Sequence, residues 1–223
     1  MRSAGEHVAW LEALSPWPEE FGVGRMRELL RRLGNPERGL RAIHVVGTNG
    51  KTTTARAAEA LLLAEDIRPG VYTSPHVVSW AERVRVGGEN ADLDAVLARV
   101  REEAEAVGAT QFEALTAAAL AEFAASEVDV VVVEAGLGGR HDATNVLDAR
   151  VVVLTNVSLE HTDVLGSTRE EIAAEKLAVL RPGALVVLGE PEWEQAARVA
   201  GAGGVTVVAA SDVALAHAAV ESF

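Results

Sequence analysis

The run Gly47-Thr48-Asn49-Gly50-Lys51-Thr52-Thr53 has the residue types of a loop that holds phosphate. Glycines let backbone N–H groups approach an anion closely, and a helix N-terminus behind them adds favourable potential. A lysine brings a compact cation to the terminal phosphates, and a hydroxyl beside it suits Mg²⁺, which prefers oxygen ligands. A strict Walker A sequence has glycine where Val45 stands, so the match is partial. Lys51 is one of only two lysines, Lys176 being the other; the remaining eighteen of the 20 basic residues are arginine. Lysine offers a point charge and an amine that can be deprotonated and modified, and arginine offers neither.

These residues need a scaffold that brings them together. Ile43–Val46 is a short β-branched run that stops at Gly47, and Thr53–Leu63 is rich in Ala and Leu, so strand, loop and helix follow in order. Val128–Val133 is nearly continuous valine, as in a strand covered on both faces. Val151–Leu154, Ala184–Leu188 and Val205–Val208 repeat the pattern, alternating with helical stretches at 93–107, 113–125, 169–180 and 192–200. This alternation predicts an α/β fold: a three-layer α/β/α P-loop domain with a mostly parallel sheet. Turns fall at Pro182-Gly183 and 201–204, and no repeat or linker divides the chain, which reads as one domain over residues 1–223.

Composition removes some function classes. A formal charge of −13 and a pI near 4.9 argue against a nucleic-acid partner, although a local basic pocket for a small anion is compatible with them. Without cysteine there are no disulfides or thiolate metal sites. The N-terminal Met1–His7 lacks the apolar core of a signal peptide, and no segment has the roughly eighteen apolar residues that suggest a membrane span. The expectation is a cytoplasmic protein that engages neither membrane nor nucleic acid.

Several further motifs occur in a fixed order. Phe21-Gly22 and Leu33-Gly34-Asn35-Pro36 precede the loop, and Tyr72-Thr73-Ser74-Pro75-His76 and Glu82-Arg83-Val84-Arg85-Val86 follow it. Then come Glu134-Ala135-Gly136-Leu137-Gly138-Gly139-Arg140-His141-Asp142-Ala143-Thr144-Asn145, His161-Thr162-Asp163-Val164-Leu165-Gly166 and Glu175-Lys176. From about residue 17 to 191 this order resembles the folylpolyglutamate/dihydrofolate synthase family, the folate branch of the Mur-type ligases. The sequence departs from that family at Thr52, often glycine; at Glu160, usually aspartate; and at Leu177, customarily alanine.

The resemblance implies an ATP-dependent ligase that joins L-glutamate to dihydropteroate or folates through an acyl phosphate, with ATP and two Mg²⁺ ions, acting as a monomer. It implies ATP binding by Gly47 to Thr53, metal binding by Ser74, Glu134 and His161, and catalysis by Lys51, His161 and Lys176, the last carried as a carbamate. The pterin pocket transfers onto Phe21, Gly22, Thr110, Gln111, Phe112, Glu113, His141, Asp142 and Ala143. From the residues alone, Glu134 is a strand-end metal ligand or a solvated charge, Ser74 a turn residue and His161 structural. Phe112 is a core aromatic or a stacking platform, and Thr110 and Asp142 are helix caps or pocket groups. Lys176 is a modified amine or a solvated lysine; positions at helical spacing from it hold Ile172, Ala173, Val179 and Leu180, so no local carboxylate pairs with it.

The family continues into a second α/β domain beyond the position of Phe223, so the chain is expected to be a piece of a longer ligase or a shortened relative. A murein-precursor ligase shares the phosphate loop but not Ser74-Pro75-His76 or the 138–142 motif. A non-catalytic nucleotide- or pterin-binding module is the third alternative.

Overall fold

The valine runs lie at the centre of the molecule, and their alternation sorts the two faces of the sheet. A computed structural model describes residues 5–208 and 211–223; residues 1–4, which include most of the segment read for a signal-peptide core, lie outside it. The chain runs through helices α1 (Glu6–Ala13) and α2 (Gly24–Arg32), strand β1 (Ala42–Val46), α3 (Lys51–Ala64) and β2 (Pro69–Tyr72). A 3₁₀ turn at Trp80–Arg83 leads into the short strands β3 (Val84–Val86) and β4 (Glu89–Asn90). Helices α4 (Leu93–Ala98), α5 (Arg101–Val107) and α6 (Gln111–Ala125) precede β5 (Val130–Glu134) and β6 (Val151–Leu154). The remainder is α7 (Thr162–Leu165), α8 (Arg169–Leu177), β7 (Leu185–Leu188), a 3₁₀ turn at Pro191–Trp193, α9 (Glu194–Val199), β8 (Gly204–Val207) and α10 (Asp212–Glu221).

Among the described residues the sheet has the order β4-β3-β2-β5-β1-β6-β7-β8. It is parallel from β2 to β8, with β3 and β4 added antiparallel at one edge. In β5, Val131 and Val133 face α6, where Leu115, Leu120 and Phe123 belong to the same core. Val130 and Val132 face the opposite layer, with Ala55 and Leu62 of α3 and Leu215 of α10. Both faces of the strand are therefore dry, and each fully buried valine contributes about 1.5–3 kcal/mol relative to exposure. The expected three-layer α/β/α architecture is present.

The boundaries differ in informative ways. The helix expected over 93–107 is two helices, broken at Arg99-Val100, where Val100 is fully buried and its N–H bonds to Leu97 O in a tight turn. The stretch at 192–200 is divided between a 3₁₀ turn and α9, and α8 stops at Leu177 instead of reaching 180. Among the described residues no helix is long and apolar enough to cross a membrane.

Candidate functional site

Strand β1 is central, with β5 and β6 on its two sides, and the loops leaving the carboxyl ends of all three meet over it. In open α/β sheets that edge is where ligands bind. The loop after β1 enters α3 through Gly50, at φ 81°, a left-handed conformation that glycine adopts without cost. Its floor comes from the residues after β6. Thr48 N–H donates to Asn156 O at 2.9 Å, Asn49 N–H to Asn156 Oδ1 at 3.0 Å, and Thr155 Oγ1 to Asn49 O at 2.7 Å. Sequence reasoning passed over Thr155 and Asn156; the cue was a polar pair directly following a buried parallel strand.

Glu134 ends β5 with its side chain only 2% exposed. Thr52 Oγ1 stands 3.0 and 2.9 Å from its two carboxylate oxygens, and Ser74 N–H donates to Oε2 at 3.0 Å. The phosphate loop, the Ser-Pro-His turn after β2 and the end of β5 are thus tied at one carboxylate. Burial pushes the Glu134 pKa up, opposed by the Ser74 and Thr52 hydrogen bonds and the nearby charges of Lys51 and Arg83.

Lys51 Nζ donates to Gly47 O at 3.0 Å and Thr48 O at 2.9 Å. Lys176 reaches the same loop from α8: its Nζ donates to Gly47 O and to Glu160 Oε1, each at 2.9 Å. It is 1% exposed, so the reading of Lys176 as a solvated surface lysine is corrected. Its partners are distant in sequence, which is why helical spacing could not reveal them. Burial lowers the Lys176 pKa, the Glu160 carboxylate works against that, and Lys51 adds to it. Partial burial would raise Glu160, but the hydrogen bond and charge of Lys176 prevail and hold it low. The departure at Glu160 therefore bears directly on Lys176.

A cavity of about 410 Å³ opens beside this cluster. Gly47, Lys51, Ser74, Glu160, His161 and Lys176 border one side. Phe21, Gly22, Thr110, Gln111, Phe112, Glu113, His141, Asp142 and Ala143 line the rest, together with Trp17 and Arg83, which the sequence reading did not assign. His161 begins α7 with φ 45°, an uncommon backbone for a non-glycine residue, and its carbonyl accepts from Val164 and Leu165 N–H at 2.9 Å. Phe112 lies against Gly136, where a Cβ would come within 2.6 Å of its Cζ.

Several pocket residues have structural duties as well. Asp142 accepts from Gly136 N–H at 3.0 Å, Leu137 N–H at 2.8 Å, Thr144 N–H at 2.9 Å and the Thr144 hydroxyl, so its carboxylate fixes the loop that forms the wall. Thr110 and Glu113 form a capping box at the start of α6, and Glu113 also pairs with Arg25 at 2.8 Å. Gln111 Nε2 donates to Leu11 O at 3.2 Å. The structure thus brings every sequence-derived site residue to one edge of the sheet, while giving Asp142, Thr110, Gln111 and Glu113 internal partners.

Oxygen donors of the kind Mg²⁺ prefers are present at Thr52 and Glu134, beside a loop that presents N–H groups. Among the described residues no group of three or more His, Asp or Glu side chains forms a protein-only metal cage. One carboxylate with a hydroxyl fits an ion that keeps waters and shares substrate phosphates.

The model of the Mur ligase middle domain matches residues 45–214. The chain belongs to the Mur ligase family. Among its relatives, the dihydrofolate synthase/folylpolyglutamate synthase of Escherichia coli is 42% identical over 188 residues, covering 83% of this chain and 44% of that protein. The protein of the same description from Bacillus subtilis is 36% identical, covering 85% of this chain and 47% of its own length. The solved structure of E. coli FolC in complex with DHPP and ADP superposes with a TM-score of 0.84 at 36% identity, over 93% of this chain and 52% of that one. The Yersinia pestis folylpolyglutamate synthase/dihydrofolate synthase complexed with AMPPNP and Mn ion gives 0.87 at 32% identity, over 100% and 63%. The chain spans about half the length of the relatives it matches.

Proposed function

We propose that this chain supplies the nucleotide-, metal- and pterin-binding part of an ATP-dependent ligase that adds L-glutamate to dihydropteroate, to folates, or to both. The observation that carries the reading is Glu134, held by the phosphate-loop hydroxyl and the Ser74 N–H beside an aromatic-lined cavity. The Mur ligase match and the ligands in the names of the solved relatives support it.

A carboxylate is a poor electrophile, so amide formation needs activation. In the proposed reaction a carboxylate oxygen of the pteroate attacks the γ-phosphorus of ATP, the bond to the β-bridging oxygen breaks, and ADP leaves. The amino nitrogen of glutamate then attacks the acyl carbon, the acyl–oxygen bond breaks to release phosphate, and the nitrogen loses a proton. Lys51 supplies fixed positive charge for the transferring phosphoryl group, which the protein stabilises mainly by positioning and electrostatics. Within the loop from Gly47 to Thr53, the N–H groups of Thr48 and Asn49 are taken up by Asn156, and those from Gly50 to Thr53, at the start of α3, hold the phosphates. Mg²⁺ held by Thr52, Glu134 and Ser74 would neutralise phosphate charge, and His161 is assigned to a second ion. Phe112 and Phe21 offer aromatic faces to the pterin, while Asp142 holds the wall behind it.

For Lys176 the proposal is a carbamate. The carbamate nitrogen keeps one N–H that can still donate to Gly47 O, but the new carboxylate gives up the ion pair with Glu160 and is repelled by it. The assignment of residues 1–223 as a Mur-type ATP-binding domain belongs to the same proposal. Equilibrium titration of the chain with Mg·AMPPNP, then dihydropteroate or a UDP-muramoyl peptide, tests the reading. Saturable binding of dihydropteroate but not of the muramoyl peptide is expected, and the reverse preference overturns it.

A further inference from the structure

A second cleft, of about 790 Å³, lies at the opposite edge of the sheet, where strands β1 and β6 begin. Five arginines line it: Arg27 and Arg31 from α2, Arg38 and Arg41 from the segment entering β1, and Arg150 from the residue before β6. This concentration of positive charge stands out on a chain with a formal charge of −13.

Most guanidinium groups elsewhere close onto carboxylates, as Arg25 does with Glu113, Arg85 with Glu59 and Arg169 with Glu190, while Arg83 and Arg181 are held by a histidine ring, an asparagine and backbone carbonyls. In the cleft Arg31 turns to Glu28, and Arg38 approaches Glu37 only to 3.8 Å. Arg27, Arg41 and Arg150 have no carboxylate within salt-bridge distance among the described residues. Two acids are within the lining, Glu37 and Asp148, yet the arginines do not use them fully: Glu37 Oε2 is buried with no hydrogen-bond partner among the described residues. Arg41 is instead stacked over the Phe223 ring, 4.5 Å from its centroid, which orients the guanidinium plane while leaving its edge donors available.

We infer that this cleft is a second anion-binding site, for a compact multivalent anion bearing phosphate or carboxylate groups. Arginine forks match both oxyanions in bidentate geometry. The site is independent of the proposed ligase chemistry, because the phosphate loop occupies the other end of β1.

The experiment is a titration of the ¹⁵N-labelled chain with inorganic tripolyphosphate in one arm and citrate in the other, followed by backbone amide shifts. Saturable shifts at Leu40, Arg41 and Arg150 are expected with at least one probe, and the tighter probe distinguishes oligophosphate from polycarboxylate chemistry. The double substitution Arg41→Ala with Arg150→Ala should weaken the binding at least tenfold, and Arg27→Gln, which keeps the Phe223 stack, should weaken it too. Higher salt should reduce affinity, since exposed charges are screened over a Debye length of about 8 Å at physiological ionic strength. Shifts confined to residues 47–52, or cleft shifts unchanged in these variants while both remain folded by melting, overturn the assignment.

Discussion

Lys51 and Lys176, the only lysines in the chain, donate to the same oxygen, the carbonyl of Gly47, at 3.0 and 2.9 Å. One lysine approaches from the start of α3 and the other from α8, so the first residue of the phosphate loop is clamped by two elements far apart in sequence. The like charges lower the proton affinity of Lys176 further after burial, and Glu160 compensates. The clamp explains how α8, which contributes nothing to the loop sequence, controls its geometry.

Replacing Lys176 by methionine keeps the apolar stem and removes the donor; Gly47 O retains Lys51, while Glu160 loses its partner. An unsatisfied buried acceptor costs about 1–3 kcal/mol, and for a chain of this size each kcal/mol shifts the melting temperature by roughly 2–4 °C. Glu160 is partly exposed and can take a water instead, so the low end applies: a fall of about 2–4 °C for a cost near 1 kcal/mol. Nucleotide affinity should fall about tenfold, equivalent to about 1.4 kcal/mol. Differential scanning calorimetry and titration with Mg·AMPPNP check both; an unchanged melting temperature would dismiss the clamp.

Glu134 sets binding against stability. Burial raises its folded pKa above the ordinary 4.5. Between 4.5 and that raised value the folded chain holds a proton the unfolded chain has released, so stability falls as pH climbs through the window. Above it the full penalty remains. Glutamine does not titrate, still accepts from Ser74 N–H and can donate to Thr52 Oγ1. Glu134→Gln should therefore melt about 2–4 °C higher at pH 7, corresponding to roughly 1 kcal/mol, with the difference shrinking below pH 4.5. The same variant should lose Mg²⁺-dependent nucleotide binding. Melting curves from pH 4 to 8 decide the matter, and a variant less stable at pH 7 would show that the sign is wrong.

Much of this arrangement could be read from the residues, and the boundary of legibility is physical. Strands β1, β5 and β6 announce themselves because apolar β-branched runs suit a strand buried on both faces. Strand β2 went unread: Pro69 and Gly70 have poor strand propensity, and its place is set by pairing with β5 along Pro69–Val130 and Tyr72–Val133. The β3–β4 hairpin carries Arg85, Glu89 and Asn90, residues typical of a surface edge. Helix α2 did leave a signal, Met26, Leu29 and Leu30 at helical spacing, all buried. In the site, the phosphate loop is local and so was visible. The partners of Lys176, Glu160 and Gly47, are 16 and 129 residues away, beyond the reach of any local pattern.

Substitution at Gly136 tests the proposed pterin pocket apart from the proposed nucleotide site. A Cβ added there meets Phe112 Cζ at 2.6 Å, so Gly136→Ala forces the ring into the cavity or away from it. Dihydropteroate affinity should fall at least tenfold, about 1.4 kcal/mol, while Mg·AMPPNP affinity stays within twofold. Parallel titrations with the two ligands check this; equal losses for both would mean that the loop, and not the pocket, was damaged.

Glu160 governs the chemistry of the Lys176 amine. Its carboxylate favours the ammonium, so Glu160→Gln lowers the Lys176 pKa below its present position and enlarges the neutral fraction that can add CO₂. With ¹³C-bicarbonate at pH 8, a carbamate carbon resonance should be stronger in Glu160→Gln than in the parent chain and absent from Lys176→Met. A signal that survives the methionine substitution would place the adduct elsewhere.

In the proposed function a phosphate-bound metal ion and a pterin occupy adjoining parts of one cavity. Replacing Mg²⁺ by Mn²⁺ in the AMPPNP complex and measuring the paramagnetic relaxation of bound dihydropteroate protons tests that adjacency directly. Strong, saturable relaxation enhancement, abolished by Glu134→Gln, is the predicted result. A pteroate that binds the Mn·AMPPNP complex with no enhancement above the diamagnetic Mg²⁺ control would contradict it.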